Sequence, residues 1–231
     1  MANFNKFVDS YDTVLDRTVA FGGDSSVYFT NYKARYFDRI YARCGAGPVL
    51  DYGCGVGNLT EALARLRPQA RIDGFDPSAD SIARLRGRSA EKGFARGGTF
   101  TSDLNELRPP YSYILVSNVM HHVLPAYTRP SLVKALAEML APGGQLVVFE
   151  HNPVNPATRW VVHTCPFDDD AVLVWPRRLT KMMQQCGLTP DCRYIVFFPK
   201  FLAVLRGLEP KLGWLPAGAQ YCMTGTKPPK P

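Results

Sequence analysis

The spacing of apolar and polar residues changes several times between residues 48 and 150. Short apolar runs typical of buried strands, such as those at 48–52 and 113–117, alternate with stretches in which apolar residues recur at helical spacing. Strands that alternate with helices along a chain form a parallel sheet covered by helices. The pattern therefore predicts an α/β fold with a doubly wound, mostly parallel sheet.

Five strands and the helices between them can be located in this region. Strands are expected at 48–52, 71–75, 99–101, 113–117 and 145–150, and helices at 59–66, after the N-cap Ser78, and at 131–140. A long irregular stretch rich in Pro, Asn and Asp follows at 151–174, and such a connection is usually functional or mobile. A helix at 176–185 and strands at 192–198 and 220–226 complete the pattern, with the order of these last strands left open.

Residues 1–45 lack strand character and carry helical pieces with many aromatic side chains, among them Tyr11, Tyr28 and Phe29. These aromatics can close over a ligand as a lid that excludes water. They can also pack into the core, which is the more frequent role of an aromatic helical stripe. We expect a helical cap or lid at 1–45 and a main domain at 46–231, within which an insertion at about 151–174 faces a substrate.

Composition limits the class of protein. The 231 residues suffice for one large domain, and 46% hydrophobic with 20% charged residues is ordinary for a globular protein. No apolar run approaches the roughly 18 to 20 residues of a membrane span, and no secretory signal is evident, so a cytoplasmic protein is expected. The six cysteines form no CxxC pair and the four histidines show no zinc-ligand spacing with them, which predicts free thiols and no bound metal.

The net charge of +7 favours anionic partners, but the basic residues are spread along the chain. The densest group lies on one predicted helix and its exit, and consists of Arg84, Arg86, Arg88, Lys92 and Arg96. A solvated helix face is its expected role, ahead of contacts with nucleic acid or an anionic membrane surface. We therefore expect no nucleic acid among the partners.

A glycine-rich turn, Asp51-Tyr52-Gly53-Cys54-Gly55-Val56-Gly57-Asn58, joins the first strand to the next helix. Glycines let the backbone turn tightly at a strand end and let a ligand approach the main chain. The spacing is GxGxG, because Asn58 stands where a dinucleotide-binding GxGxxG turn needs its last glycine, and no GK[ST] ending follows. The turn predicts a nucleotide-like ligand and argues against NAD and against a phosphate-binding P-loop.

Three acidic residues follow three successive strands and describe this ligand further. Asp51, in the turn, would repel a pyrophosphate but suits an ammonium group. Asp76, after the second strand, can accept hydrogen bonds from a ribose diol, and Asp103, after the third, can accept one from the adenine amine. A ligand that joins adenosine to a positively charged amino acid fits all three, which indicates S-adenosylmethionine (SAM).

These segments resemble the motifs of class I SAM-dependent methyltransferases, in the branch that acts on small molecules. Residues 49–57, 74–78 and 102–104 are similar to the family's first three motifs, and 118–123 and 140–146 to the segments after strand four and before strand five. The resemblance implies a seven-stranded sheet with a reversed final hairpin and SAM as methyl donor. Tyr113 departs from the family, which often has Asp at that position. The expected SAM contacts are Asp51, Gly53, Cys54, Gly55, Asp76, Pro77, Ser102, Asp103, Leu104 and Asn118, with Tyr11 from the N-terminal segment.

Methyl transfer needs an aligned acceptor and, for a hydroxyl acceptor, a base. His121, His122 and His151 are the candidate bases, because all are predicted at the carboxyl edge of the sheet. Packing is the competing role, above all for one of the two adjacent histidines. The acceptor is expected to contact the insertion and the N-terminal cap through Glu150, Asn152, Arg159, Trp160 and Tyr28.

The sequence thus predicts transfer of a methyl group from SAM to a small molecule, with a hydroxyl oxygen as the favoured acceptor. Methylation of nitrogen or of a macromolecule, and a SAM-binding partner protein without activity, are the alternatives. The segment 197–216 is apolar with interspersed cations. Packing on the N-terminal helices or a dimer contact is favoured for it over a membrane surface or a lipid-linked acceptor. A monomer and a homodimer both remain open.

Overall fold

The computed structural model describes residues 24–95, 97–123, 128–165 and 171–230, which form a seven-stranded sheet and its helices. The strands are β1 (Val49–Tyr52), β2 (Ile72–Phe75), β3 (Phe100–Thr101), β4 (Tyr111–Ser117), β5 (Leu140–His151), β6 (Thr189–Ile195) and β7 (Gln220–Thr226). Their order is β3-β2-β1-β4-β5-β7-β6, with β1 to β5 parallel and β7 antiparallel to both β5 and β6. The predicted fold class is confirmed, including the reversed final hairpin.

Helices lie on both faces of this sheet. The α-helices are α1 (Ser26–Cys44), α2 (Asn58–Leu66), α3 (Ala79–Lys92), α4 (Thr128–Met139), α5 (Pro156–Thr164), α6 (Pro176–Gln185) and α7 (Glu209–Leu212). Short 3-10 helices cover Leu104–Glu106, Met120–His122 and Lys200–Leu208. Because side chains alternate along a strand, Leu115 and Phe149 join one apolar cluster with α1 to α3, and Val116 and Val148 join another with α4 and α6.

The stretch at 151–174 is not irregular throughout, because helix α5 lies within it. The Asn155 side chain caps this helix by accepting a hydrogen bond from the Thr158 amide at 3.0 Å, and Pro156 takes the first helical position. Asn and Pro are typical of loops, but in this order they also suit an N-cap and the residue after it. The prediction of an irregular connection was wrong for this part.

The strand predicted at 192–198 begins and ends three residues earlier, as β6. Val196 has a φ of 60°, which an extended strand does not allow. The amides of Phe197 and Phe198 then donate to the carboxylate of Glu209 at 3.0 and 3.2 Å. The apolar residues after Ile195 therefore belong to a turn away from the sheet.

Helix α1 is the described part of the predicted cap, and it packs on the same sheet as the other helices. The rings of Phe37 and Tyr41 contact Tyr113 of β4, with centroids 5.4 and 5.2 Å apart. The Tyr113 hydroxyl donates to the carbonyl of Gly45, just after the helix, at 2.7 Å. Tyr113, where the family often has Asp, thus anchors the end of α1. Tyr11 lies outside the described residues.

The segment between β6 and β7 packs against the start of α1. The guanidinium of Arg206 lies 4.1 Å from the ring centroid of Tyr28 and pairs with Asp24. This is the packing on the N-terminal helices that the sequence favours for 197–216, although Phe201 and Val204 stay exposed. Among the described residues, no helix is both long enough and apolar enough to cross a membrane.

Candidate functional site

The glycine turn after β1 is held against the end of β2. The amides of Gly53 and Cys54 donate to the carbonyl of Phe75 at 2.7 and 3.0 Å. Gly53 has a φ of 78°, and a Cβ there would lie 2.3 Å from Cγ2 of Val119, so glycine is required for this close approach. A Cβ on Gly55 would meet no described atom within 4 Å. The turn therefore presents an open backbone surface at Gly55.

A guanidinium from α3 holds the far side of the same turn. Arg88 Nη1 donates to the carbonyl of Val56 at 2.6 Å and to the side-chain oxygen of Asn58 at 2.8 Å, and Nη2 pairs with Glu61. One cation thus links α3 to the glycine turn and to the first residue of α2. Sequence periodicity gives no sign of this role, because the acceptors lie about 30 residues away along the chain.

Arg84, Arg86 and Lys92 of α3 are exposed, as the predicted solvated face requires, whereas Arg88 is only partly exposed. Besides Arg88, the guanidinium of Arg86 donates twice to the carbonyl of Phe100, and Lys92 pairs with Glu61 at 3.1 Å. These charged groups bond within the protein, where they connect α3 to α2 and β3. Arg96 lies outside the described residues.

Asp51 is a buried carboxylate at the end of β1, with 1% of its surface exposed. Its Oδ2 accepts a hydrogen bond from the Thr60 hydroxyl at 2.7 Å. Burial raises the pKa of Asp51 to about 6; the Thr60 hydroxyl and Lys33 oppose the rise, and Asp76 adds to it. A bound cation beside this carboxylate would relieve the unfavourable burial of its charge.

Asp76 and Asp103 follow β2 and β3, at the same edge of the sheet as Asp51. The Asp76 carboxylate accepts from the amides of Gly55 and Ser78, both at 2.9 Å, and burial raises its pKa. Asp103 is exposed, and its Oδ1 accepts from the Asn105 amide at 2.9 Å. Each carboxylate oxygen has two lone pairs, so both acids keep capacity for ligand hydroxyl and amine groups.

The other predicted cofactor contacts lie along the same edge. Pro77, Ser102 and Leu104 are exposed just after β2 and β3, whereas Cys54 is buried behind the glycine turn. Leu104 exposes 52% of its surface although it is apolar. An exposed leucine beside Asp103 offers an apolar surface for a flat ring such as adenine.

Asn118 sits directly after β4 and has a strained backbone with a φ of 56°. Its side-chain Oδ1 is buried and has no hydrogen-bond partner among the described residues. SAM would bring the donors that this edge lacks: an ammonium group, two ribose hydroxyls and an adenine amine for the oxygens of Asn118, Asp51, Asp76 and Asp103. The residues present therefore fit the predicted cofactor.

A cluster of histidines surrounds a buried glutamate where β4 and β5 end. Glu150 is fully buried; its Oε1 accepts from the Met120 amide at 2.7 Å and its Oε2 lies 2.6 Å from Nδ1 of His121. The His121 ring is also buried, with its centroid 4.1 Å from that of His122 and 5.1 Å from that of His151. The structure thus brings together the three histidines that the sequence nominates.

The Glu150 carboxylate is ionised in this cluster. Burial by itself would raise its pKa, but His121, His151 and the Met120 amide together hold the pKa below its ordinary value. A carboxylate can only accept hydrogen bonds, so Nδ1 of His121 carries the proton between them. Glu150 therefore orients His121 and has no oxygen directed at an acceptor, whereas His122 and His151 are partly exposed.

Arg129 of α4 fixes the loop that carries His121 and His122. It is buried, and its Nε donates to the carbonyls of Met120 and Val123 at 2.8 Å, while Nη2 donates to that of His121 at 3.3 Å. No sequence pattern marks Arg129 as part of the site. The residues next to Arg129 in the sequence carry no signal of the backbone carbonyls that it contacts, because those carbonyls lie on a loop outside its helix.

Lys33 of α1 is a second missed residue. It is only 5% exposed, and its Nζ donates to the hydroxyl of Ser117, the last residue of β4, at 3.0 Å. The sequence does contain a signal, because Lys33 continues a helical series of aromatics at 29, 37 and 41, all spaced by four residues. A lysine on such a stripe points towards the core.

Asn152, predicted to contact the acceptor, is fully buried and bonds within the protein. Its Nδ2 donates to the carbonyls of Pro216 and Gly218 at 3.1 and 2.7 Å, and its Oδ1 accepts from the Val154 amide at 3.0 Å. These bonds use its polar atoms to join the end of β5 to the segment before β7. We do not retain Asn152 as an acceptor contact.

Arg159 and Trp160 of α5 line a surface cavity of about 630 Å³, together with Pro156, Val162, His163, Ala171 and Leu173. None of these described lining residues belongs to the strand ends that carry the acids and the histidine cluster. The cavity is nevertheless adjacent to the cluster, because the Val172 amide donates to the carbonyl of His121 at 2.9 Å. Tyr28, by contrast, contacts Arg206 at the start of α1.

Known proteins are similar to this chain in sequence and in fold. The family described as "Methyltransferase domain" matches residues 50–146. The chain is 30% identical over 216 residues to trans-aconitate 2-methyltransferase of Mycobacterium tuberculosis (strain ATCC 25177 / H37Ra), covering 85% of this chain and 77% of the relative.

Two solved structures show the same fold. An O-methyltransferase family protein from Burkholderia thailandensis has a TM-score of 0.68 at 15% identity, covering 93% of this chain and 60% of that chain. Magnesium protoporphyrin IX methyltransferase from Synechocystis PCC 6803, solved with bound SAM, has a TM-score of 0.63 at 16% identity, covering 96% and 94%.

The extent of the sequence match and the fold confirm the predictions of family, enzyme class and cofactor. SAM is the methyl donor, and the edge formed by Asp51, Asp76 and Asp103 has the chemistry to hold it. The chain belongs to the class I SAM-dependent methyltransferases.

Proposed function

We propose that this enzyme transfers the methyl group of SAM to an oxygen atom of a small molecule bound at the ends of β4 and β5. The observation that carries the proposal is the pair of partly exposed rings, His122 and His151, packed around the buried His121–Glu150 pair. This cluster of histidines lies next to Asn118, beyond the acids assigned to the cofactor. An imidazole near neutral pH suits removal of a hydroxyl proton.

When bound, SAM supplies a methyl carbon attached to a positively charged sulfur. The chain's task is to align an acceptor lone pair with the carbon–sulfur bond and to exclude water. His122 or His151 would take the proton of a hydroxyl acceptor as that oxygen receives the methyl group. His121, held by Glu150, is a positioning residue for both rings.

A carboxylate oxygen is the second candidate acceptor, and a specific observation favours it. The relative matched over 216 residues is named for trans-aconitate, a tricarboxylic acid. A carboxylate is already ionised at neutral pH, so its methylation needs alignment but no base. The fold neighbour from Burkholderia is likewise named for transfer to oxygen.

The acceptor is bounded on one side by α5 in this proposal. The cavity lined by Arg159 and Trp160 is open to the surface and lies next to the loop that carries His121. The guanidinium would orient an anionic or carbonyl oxygen, and the indole would cover an apolar part of the acceptor.

Methyl-labelled SAM, incubated with the protein and a panel of small acceptors, tests the proposal. The panel pairs hydroxyl compounds with trans-aconitate and other small acids, and we expect a labelled product whose ether or ester bond identifies the oxygen. Asp76→Ala should abolish both SAM binding and labelling, whereas Asp191→Ala, which removes an exposed acid on β6, should change neither. Saturable SAM binding without any labelled product would contradict the proposal and favour a non-catalytic SAM-binding protein.

A further inference from the structure

Lys33 places a buried cation beneath the acceptor side of the sheet edge. Its helix, α1, lies over β4 and β5, since Lys33 reaches Ser117 and the Tyr36 ring meets Phe149 of β5 with centroids 5.9 Å apart. Ser117 and Phe149 are paired across these strands, directly before Asn118 and Glu150. The ammonium group is therefore within a few residues of both the cofactor edge and the histidine cluster.

This cation has fewer partners than its burial requires. An ammonium group has three N–H donors, but within the described part of the chain Nζ of Lys33 makes one hydrogen bond, to a neutral hydroxyl. The nearest carboxylates are engaged elsewhere: Glu150 with Met120 and His121, and Asp51 with Thr60. Burial lowers the pKa of Lys33 to about 8, although Glu150 and Asp51 attract the charge. A cation that only stabilised the fold would be paired with a carboxylate.

Its place along the sheet separates it from the adenosine part of the cofactor site. Asp76 and Asp103 lie at β2 and β3, two and three strands from β4. Lys33 is next to β4 and interacts electrostatically with Glu150 of β5, Asp51 of β1 and Cys222 of β7. The ammonium group and the positively charged sulfur of SAM would repel the ammonium group of Lys33, whereas the carboxylate of SAM is the competing anion that the binding test below separates from an acceptor. A negative group of the acceptor would give Lys33 the anionic hydrogen-bond partner that it lacks.

We propose that Lys33, supported by Ser117, binds a carboxylate of the acceptor, so that the substrates of this enzyme are small organic acids. The inference rests on the proposed function, which places the acceptor at β4 and β5. The carboxylate held by Lys33 fixes the orientation of the acceptor, whichever of its oxygens receives the methyl group. Lys33 is thus a specificity-determining residue.

Binding to the protein loaded with S-adenosylhomocysteine tests this without turnover. Calorimetry would compare benzoate, succinate, tricarballylate and trans-aconitate with their neutral methyl esters. We expect at least one acid to bind at least tenfold more tightly than its ester. Lys33→Met should remove that preference, whereas Lys134→Met, which alters an exposed lysine of α4, should leave it unchanged.

Three results would overturn the inference. They are the absence of binding by every acid, equal binding of an acid to the wild type and to Lys33→Met, and a loss of SAM affinity in Lys33→Met as large as the loss of acid affinity. The last would mean that Lys33 holds the carboxylate of the cofactor. Failure of the proposed function is a separate result, since it appears as acid binding without labelled product.

Discussion

Oε2 of Glu150 and Nδ1 of His121 lie 2.6 Å apart in a site from which solvent is excluded, and this contact joins the end of β5 to the loop after β4. The second oxygen of Glu150 accepts from the Met120 amide of the same loop. One carboxylate therefore sets both the backbone position of the loop and the tautomer of His121. The arrangement of the histidine cluster depends on this single charge.

Glu150→Gln should destabilise the protein by about 1–3 kcal/mol, because the amide keeps one acceptor oxygen but loses the charge-assisted bond to His121. Urea denaturation monitored by circular dichroism measures the change. Glu138→Gln is the matched control, since Glu138 is exposed on α4 and only 4.0 Å from Lys134. Equal stability of Glu150→Gln and the wild type would show that the buried pair does not hold the loop.

The two partly exposed histidines, His122 and His151, report which kind of oxygen is methylated. With a hydroxyl acceptor, the double variant His122→Gln/His151→Gln should lower kcat by roughly 10²–10⁴, because no base remains. With a carboxylate acceptor the reduction should stay below about tenfold, since no proton is removed. Steady-state kinetics with both acceptor types measures this. Arg177→Gln, at an exposed arginine of α6, is the control; if it reduced kcat as much, the assignment of the base to the cluster would be wrong.

Arg88→Met should weaken SAM binding by roughly tenfold, because the glycine turn loses the bonds that fix Val56 and Asn58. The carboxylates proposed to contact SAM stay in place, so binding should weaken without being abolished. Calorimetric titration with SAM measures the affinity, and Arg177→Met, at an exposed arginine of α6, is the control. An unchanged affinity would show that the turn is rigid without this clamp.

SAM binding should weaken as the pH falls through about 6. Burial raises the pKa of Asp51 to about this value, so the carboxylate is protonated below it and no longer attracts the ammonium group of SAM. The affinity should fall by up to about tenfold per pH unit below pH 6 and should be flat from 7 to 8. Asp51→Asn should bind weakly at every pH. A wild-type affinity constant from pH 5 to pH 8 would contradict the assignment of Asp51 to the ammonium group.

The elements that the sequence located correctly are those set by local periodicity and by the glycine turn. β1, β2 and α2 lie within one or two residues of their predicted bounds, because each buries a regular face. Helix α5 was missed because Asn155 and Pro156 suit both a loop and a helix start. β6 ends earlier than predicted because Val196 has a positive φ, and no pattern in the sequence predicts that backbone angle.

Some residues of the site could likewise be predicted from the sequence and others could not. The acids at three strand ends could be predicted, because parallel strands bring their carboxyl ends to one edge. The roles of Arg88 and Arg129 could not, because their acceptors are backbone carbonyls of other elements, which side-chain identity does not reveal. Lys33 was predictable from its place on an aromatic stripe, but its neighbour Ser117 is 84 residues away along the chain.

Replacement of Lys33 should stabilise the protein while it removes acid binding. The pKa of Lys33 is about 8 in the folded protein, where burial outweighs the attraction of Glu150, Asp51 and Cys222, and about 10.4 in an unfolded chain. The unfolded chain therefore binds the proton more tightly, and wild-type stability should rise as the pH increases from 8 to about 10. Lys33→Met should abolish this rise and increase the free energy of unfolding at pH 7, by on the order of 3 kcal/mol if the whole shift reflects burial. Urea denaturation at pH 7 and pH 9.5 measures both effects. A variant less stable than the wild type at pH 7 would show that the ammonium group supports the fold, whereas a stabilised variant that no longer binds acids would mark Lys33 as a residue whose charge serves the ligand at the expense of stability.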